Sequence, residues 1–390
     1  MQRVAVLGDG VTAKAVKLAL PNLGLELSDI ESADIVVSSP GIPPEQYPST
    51  DLDIISEIEF AYRLFKARNE LPFIIGVTGT NGKTTVTELV SHICDIPSAG
   101  NIGDPLISFV GKLGKQEAVV VELSSYQLEG CSEFSPDVAV LLNLTEDHMA
   151  RHKTMSCYLE AKAKIFTTQG PDDVVIYNAE DALLVEACEK ASSKKVPFSV
   201  SHSFASLIDN DALIGDHNIQ NAVVALMIAE AMGKDVNEAA EKLKSFRLSA
   251  HRLEKVAVAD GVTFYNDSKA TNPDAVLKAM SAFRDKRVHL ILSGEDKQVH
   301  LDAFLQDVSD QAETVCVFGG LSELVKEWAD AEGVEIKVLD TMDDAVSFAL
   351  SKSKPGDIVL FSPSSASFDL YSSYQERGDA FKATVSGVTS

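Results

Sequence analysis

The run Gly76-Val77-Thr78-Gly79-Thr80-Asn81-Gly82-Lys83-Thr84-Thr85 holds the residue types that can cradle a phosphate. Glycines let backbone N–H groups close around phosphate oxygens, and a helix N-terminus adds a dipole that favours anions. A lysine after the last glycine can reach the β- and γ-phosphates of a nucleotide, and the next threonine hydroxyl can hold Mg²⁺. Lys83 and Thr84 stand at those positions, so ATP binding by Gly79, Thr80, Asn81, Gly82, Lys83, Thr84 and Thr85 is expected. The first glycine of the usual G-x-x-x-x-G-K-T spacing would fall at Val77, and Gly76 comes one residue early. A second turn, Leu7-Gly8-Asp9-Gly10-Val11-Thr12-Ala13, approximates the G-x-G-x-x-A of dinucleotide folds. Alone it fits a structural turn as well as a nucleotide-binding one.

These residues need a scaffold. Short β-branched runs at 4–7, 34–37, 73–77, 118–121, 138–142, 174–177, 288–292, 314–318 and 357–361 read as continuous apolar strands. Such strands suit parallel sheets covered on both faces. Helical patterns at 84–94, 218–232 and 272–283 lie between them, so the fold class is α/β. A Pro/Ser-rich stretch at 40–50 and a break near 249–251 divide the chain into expected domains of 1–71, 72–249 and 250–390.

With 58 Asp plus Glu against 34 Lys plus Arg, the chain carries a net charge of −24, which excludes a nucleic-acid coat. An anionic small substrate still fits if a few cations converge in a cleft. The five cysteines are widely spaced and form no C-x-x-C, so a disulfide scaffold or thiolate zinc site is not expected. No apolar run approaches the ~18 residues needed to span a bilayer. A cytoplasmic protein with no membrane partner is the expectation.

Further polar clusters follow in order: Gly100-Asn101-Ile102-Gly103, Glu122-Leu123-Ser124-Ser125-Tyr126-Gln127, Asn143-Leu144-Thr145-Glu146-Asp147-His148 and Tyr158-Leu159-Glu160-Ala161-Lys162. Then come Gly215-Asp216-His217-Asn218-Ile219-Gln220-Asn221, His251-Arg252, Asn266-Asp267-Ser268-Lys269-Ala270-Thr271-Asn272, Ser364-Ser365-Ala366-Ser367-Phe368-Asp369 and Gln375-Glu376-Arg377-Gly378. This set resembles the Mur ligases of peptidoglycan synthesis, and within them the branch that adds D-glutamate. The resemblance is close from residue 72 onward and looser over 1–71.

The resemblance implies three domains. They are a small Rossmann-like N-terminal domain that binds UDP, a central P-loop ATPase-type parallel-sheet domain, and a C-terminal Rossmann-like domain for the amino acid. It implies a monomer that joins D-glutamate to UDP-N-acetylmuramoyl-L-alanine through an acyl phosphate and a tetrahedral intermediate, with ATP and two Mg²⁺ ions. Lys83, His148, Lys162 and Asn101 become the catalytic candidates. Thr84, Glu122, His148 and Lys162, the last as a CO₂-derived carbamate, become the metal ligands. Asn218 and Asn221 would read adenine, and Arg252 and Asp267 would contact the ATP phosphates and ribose. Lys269, Thr271, Lys297, Ser367, Phe368 and Tyr374 would line the amino-acid site. Gly8, Thr12, Gly41, Asn101, Ser124 and Gln127 would face the UDP-sugar substrate. An electrostatic argument supports the carbamate: a lysine near its usual pKa of about 10.4 would be repelled by the metal ions. Burial and positive charge both favour the neutral amine that reacts with CO₂.

Some features depart from the family pattern. Only about 22 residues separate Val11 from the strand at 34–37. That is short for a uridine-binding segment, and residues 21–30 would serve instead. Ala150 stands where the family carries Asp, and Ser293 replaces a Gly. Three rival readings are a sister ligase adding another amino acid or glutamylating a folate, a P-loop motor or switch, and a nicotinamide-dependent oxidoreductase built on Gly8-x-Gly10. The last leaves Lys83, Glu122, His148 and Lys162 unexplained.

Overall fold

The computed structural model describes residues 2–296 and 301–388. Among the described residues the strands form three sheets, and helices connect most of them.

The first sheet holds β1 (Arg3–Leu7), β2 (Glu26–Leu27), β3 (Ile35–Ser38) and β4 (Ile54–Ser56) in the order β2-β1-β3-β4, all parallel. Helix α1 (Val11–Ala19) follows β1, and α2 (Glu57–Arg68) follows β4. The short segment between Val11 and β3 is thus filled by α1, two 3₁₀ turns and a two-residue strand.

The second sheet runs β10-β9-β8-β5-β7-β6, parallel throughout. Its elements in chain order are β5 (Phe73–Thr78), α3 (Lys83–Cys94), β6 (Ser98–Gly100), β7 (Ala118–Glu122), α4 (Ser125–Glu129), β8 (Val138–Leu141), α5 (Met149–His152), α6 (Met155–Ala163), β9 (Val174–Asn178), α7 (Ala182–Glu189) and β10 (Lys194–Phe198). Pro197 sits on β10, an edge strand, where a missing N–H costs least. Helices α8 (Asp216–Ala231) and α9 (Val236–Leu243) follow.

The third sheet runs β11-β12-β16-β13-β14-β15, parallel except for the antiparallel pair β11/β12. It comprises β11 (Glu254–Ala259), β12 (Val262–Asn266), α10 (Pro273–Ser281), β13 (Val288–Ser293), α11 (Asp302–Gln311), β14 (Thr314–Phe318), α12 (Ser322–Glu332), β15 (Lys337–Val338), α13 (Met342–Lys352), β16 (Ile358–Ser364) and α14 (Tyr374–Val388). Alternation along its strands builds two cores. Leu290, Leu292, Val315, Val317 and Leu360 share one, and Ile291, Cys316, Phe318, Val359 and Phe361 share the other. That is the period-2 pattern of a sheet covered on both faces.

The chain forms two compact units, residues 1–210 with 219–246 and residues 211–218 with 247–390. The first two sheets fall in one unit because they share a core that runs from Val4, Val37 and Ile58 to Ile74, Leu106 and Val119.

Candidate active site

The second sheet positions the phosphate loop. β5 ends at Thr78, and the chain turns through 79–82 into α3. Gly79 has φ +150°, and a Cβ there would lie 2.9 Å from Leu142 Cβ; Gly82 has φ +88°, and its Cβ would lie 2.7 Å from Asn221 Oδ1. Conformation and space both demand glycine at these two positions. Gly76 lies inside β5, where Ile165 and Leu123 press on it, so the early glycine serves packing rather than the loop.

Residues after β8 brace the loop. Asn143 Oδ1 accepts from Asn81 N at 2.8 Å, and its Nδ2 donates to Asn81 O at 3.0 Å. Thr80 Oγ1 donates to Thr145 O at 3.1 Å and lies 3.3 Å from Tyr158 Oη.

Two lysines meet on one carbonyl. Lys83 Nζ donates to Gly79 O at 2.9 Å and to Thr80 O at 2.7 Å. Lys162 Nζ, from α6, donates to the same Gly79 O at 2.8 Å and lies 4.5 Å from the centre of the Tyr158 ring. Lys162 is 1% exposed. Burial first, then the charge of Lys83, pushes its ammonium well below the usual lysine range, against the pull of Asp147 and Glu122.

Pairing of β5 with β7 sets Glu122 opposite Val77, beside the loop. Glu122 is 2% exposed. Its Oε1 accepts from Asn101 Nδ2 at 2.8 Å, while its Oε2 is buried with no hydrogen-bond partner. An orphaned carboxylate oxygen beside a phosphate loop is costly unless a cation meets it. Thr84 opens α3 next to Lys83. His148 caps α5 in the left-handed region at φ +58°, with its Nε2 3.6 Å from Asp147 Oδ2 and its ring 5.0 Å from Tyr126. No group of three or more His, Cys, Asp or Glu among the described residues could by itself hold a metal. Such a sparse oxygen set fits Mg²⁺, which keeps waters and phosphate oxygens as ligands, better than a metal needing an all-protein cage.

The remaining expected residues spread over both units. Gly8 follows β1, close to Ser39 after β3, Thr12 lies in the first turn of α1, and Gly41 lies in the turn after β3. Ser124 and Gln127 are engaged with each other. They form a capping box on α4, with Ser124 N donating to Gln127 Oε1 at 3.0 Å, and Gln127 is 4% exposed. Asn218 and Asn221 lie on α8, and both are buried. Asn218 Nδ2 donates to Ile214 O at 2.8 Å.

In the second unit the parallel strands β12, β16 and β13 end side by side. Their C-terminal loops are where an α/β sheet presents a ligand site. Asp267 follows β12 and accepts from Leu253 N at 3.1 Å and from Ser362 Oγ at 2.9 Å. Burial raises its carboxyl to about 7, against those bonds and the charge of Arg252. Arg252 Nε is buried without a hydrogen-bond partner. Lys269 Nζ lies 5.5 Å from the centre of the Tyr374 ring. Thr271 lies in the loop before α10, Ser367 is buried, and Phe368 is 72% exposed. Lys297 lies outside the described residues.

Residue-type reasoning gave no role to Asn143, Tyr158 or Arg377. Tyr158 stands one helical turn before Lys162, the spacing at which side chains on a helix meet, so that signal was available.

Residues 77–229 match the family model described as Mur ligase middle domain, and residues 251–365 match that of the Mur ligase, glutamate ligase domain. A UDP-N-acetylmuramoylalanine--D-glutamate ligase of Pelotomaculum thermopropionicum is 39% identical, covering 97% of this chain and 88% of its own. A protein of the same name from Clostridioides difficile is 35% identical, covering 94% and 87%. Among solved structures, a MurF ligase from Thermotoga maritima in complex with ADP aligns with a TM-score of 0.68 at 17% identity, covering 99% of this chain and 95% of that one, a likeness of fold. Identity of this extent along nearly the whole chain makes the protein an enzyme of the Mur ligase family.

Proposed function

We propose that the protein joins D-glutamate to UDP-N-acetylmuramoyl-L-alanine at the expense of ATP. The observation that carries this reading is the pair of lysines on the Gly79 carbonyl, set beside a buried carboxylate with an open oxygen. A lysine cation at a phosphate loop, next to a buried carboxylate that can meet a metal ion, suits phosphoryl transfer, which needs charge stabilisation more than covalent help. The choice of D-glutamate rests on the two relatives bearing that name.

In this reading residues 1–71 hold the UDP moiety, 72–249 the ATP and 250–390 the amino acid. Lys83 and the loop N–H groups hold the phosphates. Asn218 and Asn221 meet adenine, and Arg252 and Asp267 meet phosphate and ribose. Thr84, Glu122, His148 and Lys162 hold Mg²⁺, which when bound would neutralise charge on the phosphoryl oxygens. Asn101, tied to Glu122, faces the reacting acyl group. Lys269, Thr271, Lys297, Ser367, Phe368 and Tyr374 line the amino-acid site. Gly8, Thr12, Gly41 and Ser124 face the UDP-sugar, and Gln127 acts through its cap on Ser124. The protein works as a cytoplasmic monomer; among the described residues no helix is long and apolar enough to cross a membrane.

Lys162 acts as a carbamate. Its neutral amine attacks CO₂, a C–N bond forms, one C=O π pair becomes a carboxylate lone pair, and the amine proton leaves to solvent. The side chain changes from a neutral amine to an anion with the oxygen ligands that Mg²⁺ prefers.

The test is product mass after incubation with ATP, Mg²⁺, UDP-N-acetylmuramoyl-L-alanine and D-glutamate. A product heavier by one glutamyl residue is expected. Gain with another amino acid and none with D-glutamate would overturn the substrate assignment.

A further inference from the structure

Arg377 on α14 is 0% exposed. It makes no ion pair among the described residues, although a buried guanidinium ordinarily needs one. Its donors go to backbone and hydroxyl oxygens instead. Nη2 donates to Ser268 O at 2.9 Å and to Ser365 O at 3.0 Å, and Nε donates to Ser268 Oγ at 3.1 Å. Ser268 Oγ passes the contact on, donating to Tyr374 O at 2.8 Å. Nη1 has no hydrogen-bond partner, and a Cβ placed on Gly294 would come within 3.0 Å of it. The Gly294 loop is in turn laced to the loop after β16, where Glu295 N donates to Ala366 O at 2.9 Å and Ser365 Oγ donates to Glu295 O at 2.5 Å. One planar fork therefore bonds to the loops that leave β12 and β16 and lies beside Gly294 in the loop that leaves β13. Such a fork fixes several acceptors at once, which a flexible ammonium cannot do.

We infer that Arg377 is a positioning residue for the incoming amino acid: it sets the three loops of the acceptor pocket in register and thereby determines how that substrate is held. This rests on the proposed reading that these loops take the amino acid. Ser268 precedes Lys269, Ser365 lies two residues before Ser367, and Gly294 begins the loop toward Lys297. A guanidinium that only stabilised the fold would weaken every step alike when removed. A positioning role weights the loss toward amino-acid binding, because Lys83, Lys162 and Glu122 belong to the other compact unit and only Arg252 and Asp267 among the proposed phosphate and ribose contacts share a unit with Arg377.

The test is steady-state kinetics of Arg377→Gln and Ser268→Ala on the full chain, with the amino acid the wild type accepts. Displacing pocket groups by about 1 Å can cost roughly a hundredfold, so Arg377→Gln should raise KM for the amino acid about tenfold to a hundredfold. KM for ATP should rise by clearly less, since Lys83 and the phosphate loop lie in the other unit. ADP formed in a single turnover without amino acid should persist. Arg377→Lys, which keeps the charge and loses the fork, should recover only part of the affinity. Ser268→Ala, which removes one acceptor, should shift amino-acid KM in the same direction by less, and it carries the test alone if Arg377→Gln does not fold. Equal rises in both KM values, loss of the amino-acid-free turnover, or an unchanged amino-acid KM in the folded variants would overturn the inference. A wild type that prefers an amino acid other than D-glutamate would count against the substrate assignment and leave the role of Arg377 to be read with that amino acid.

Discussion

At the scale of single residues, chemistry concentrates where Lys83 and Lys162 share the Gly79 carbonyl. Lys83→Ala removes a cation from the phosphoryl oxygens. One such electrostatic group is worth roughly 3–4 kcal/mol, so phosphate release should fall about 10²–10³-fold while circular dichroism stays unchanged. Near-normal turnover in a folded variant would place the catalytic phosphate site elsewhere. Lys162 is the more discriminating case, because burial and the charge of Lys83 both push its ammonium well below the usual lysine range and so favour the nucleophilic amine. Lys162→Ala should abolish nearly all activity, and acetate should restore a part by supplying the lost carboxylate oxygens. Enzyme equilibrated with ¹³C-bicarbonate should show a carbamate ¹³C resonance in the wild type that is missing from Lys162→Ala. No such resonance in the wild type would mean that the lysine works as a bare amine.

At the scale of elements, α2 illustrates how the fold ties its sheets together. Ser56 caps the helix, and Glu57 in its first turn reaches the 3₁₀ segment Leu106–Phe109 by accepting from Ile107 N at 2.6 Å. Burial raises the Glu57 carboxyl from 4.5 to about 7. Below about pH 4.5 folded and unfolded chains both hold this proton. As pH climbs toward 7 the unfolded chain releases it while the folded chain retains it, so stability falls through that window. A shift of this size corresponds to on the order of 3 kcal/mol. Glu57→Gln should remove that slope, so urea unfolding at pH 5 and pH 8 should differ less in the variant than in the wild type. Equal slopes would show that Glu57 does not titrate in this range. Other elements differ in how openly the sequence announces them. The phosphate loop and its flanking β5 and α3 were legible because glycines, lysine, threonine and apolar runs each have a local physical meaning. Helix α6, which carries Lys162, begins at the Thr154 cap and ends with Lys164 as its C-cap. Strands β2 and β4 span two and three residues and escape periodicity altogether. The hairpin β11/β12 was readable and went unread: Asp260 and Gly261 have φ +50° and +78°, the left-handed pair that a tight Asp-Gly turn requires. Arg377 was invisible as a hub, since its partners are backbone and hydroxyl oxygens from loops 12 and 109 residues away.

At the scale of the whole molecule, an acidic chain of net charge −24 places its buried basic side chains Lys162 and Arg377 beside loops at the ends of parallel strands. In the proposed reading the first unit carries most of the groups for phosphoryl transfer, and the second carries Arg252, Asp267 and the loops for the amino acid. This division makes a specific demand on the reaction: ATP cleavage should be coupled to the arrival of an amine acceptor. The most direct measurement is phosphate release across a panel of amino acids, each with and without UDP-N-acetylmuramoyl-L-alanine, with ATP and Mg²⁺ in excess. We expect sustained release only when D-glutamate and the UDP-linked substrate are both present. Sustained release in the absence of either, or a stronger response to another amino acid, would contradict the account.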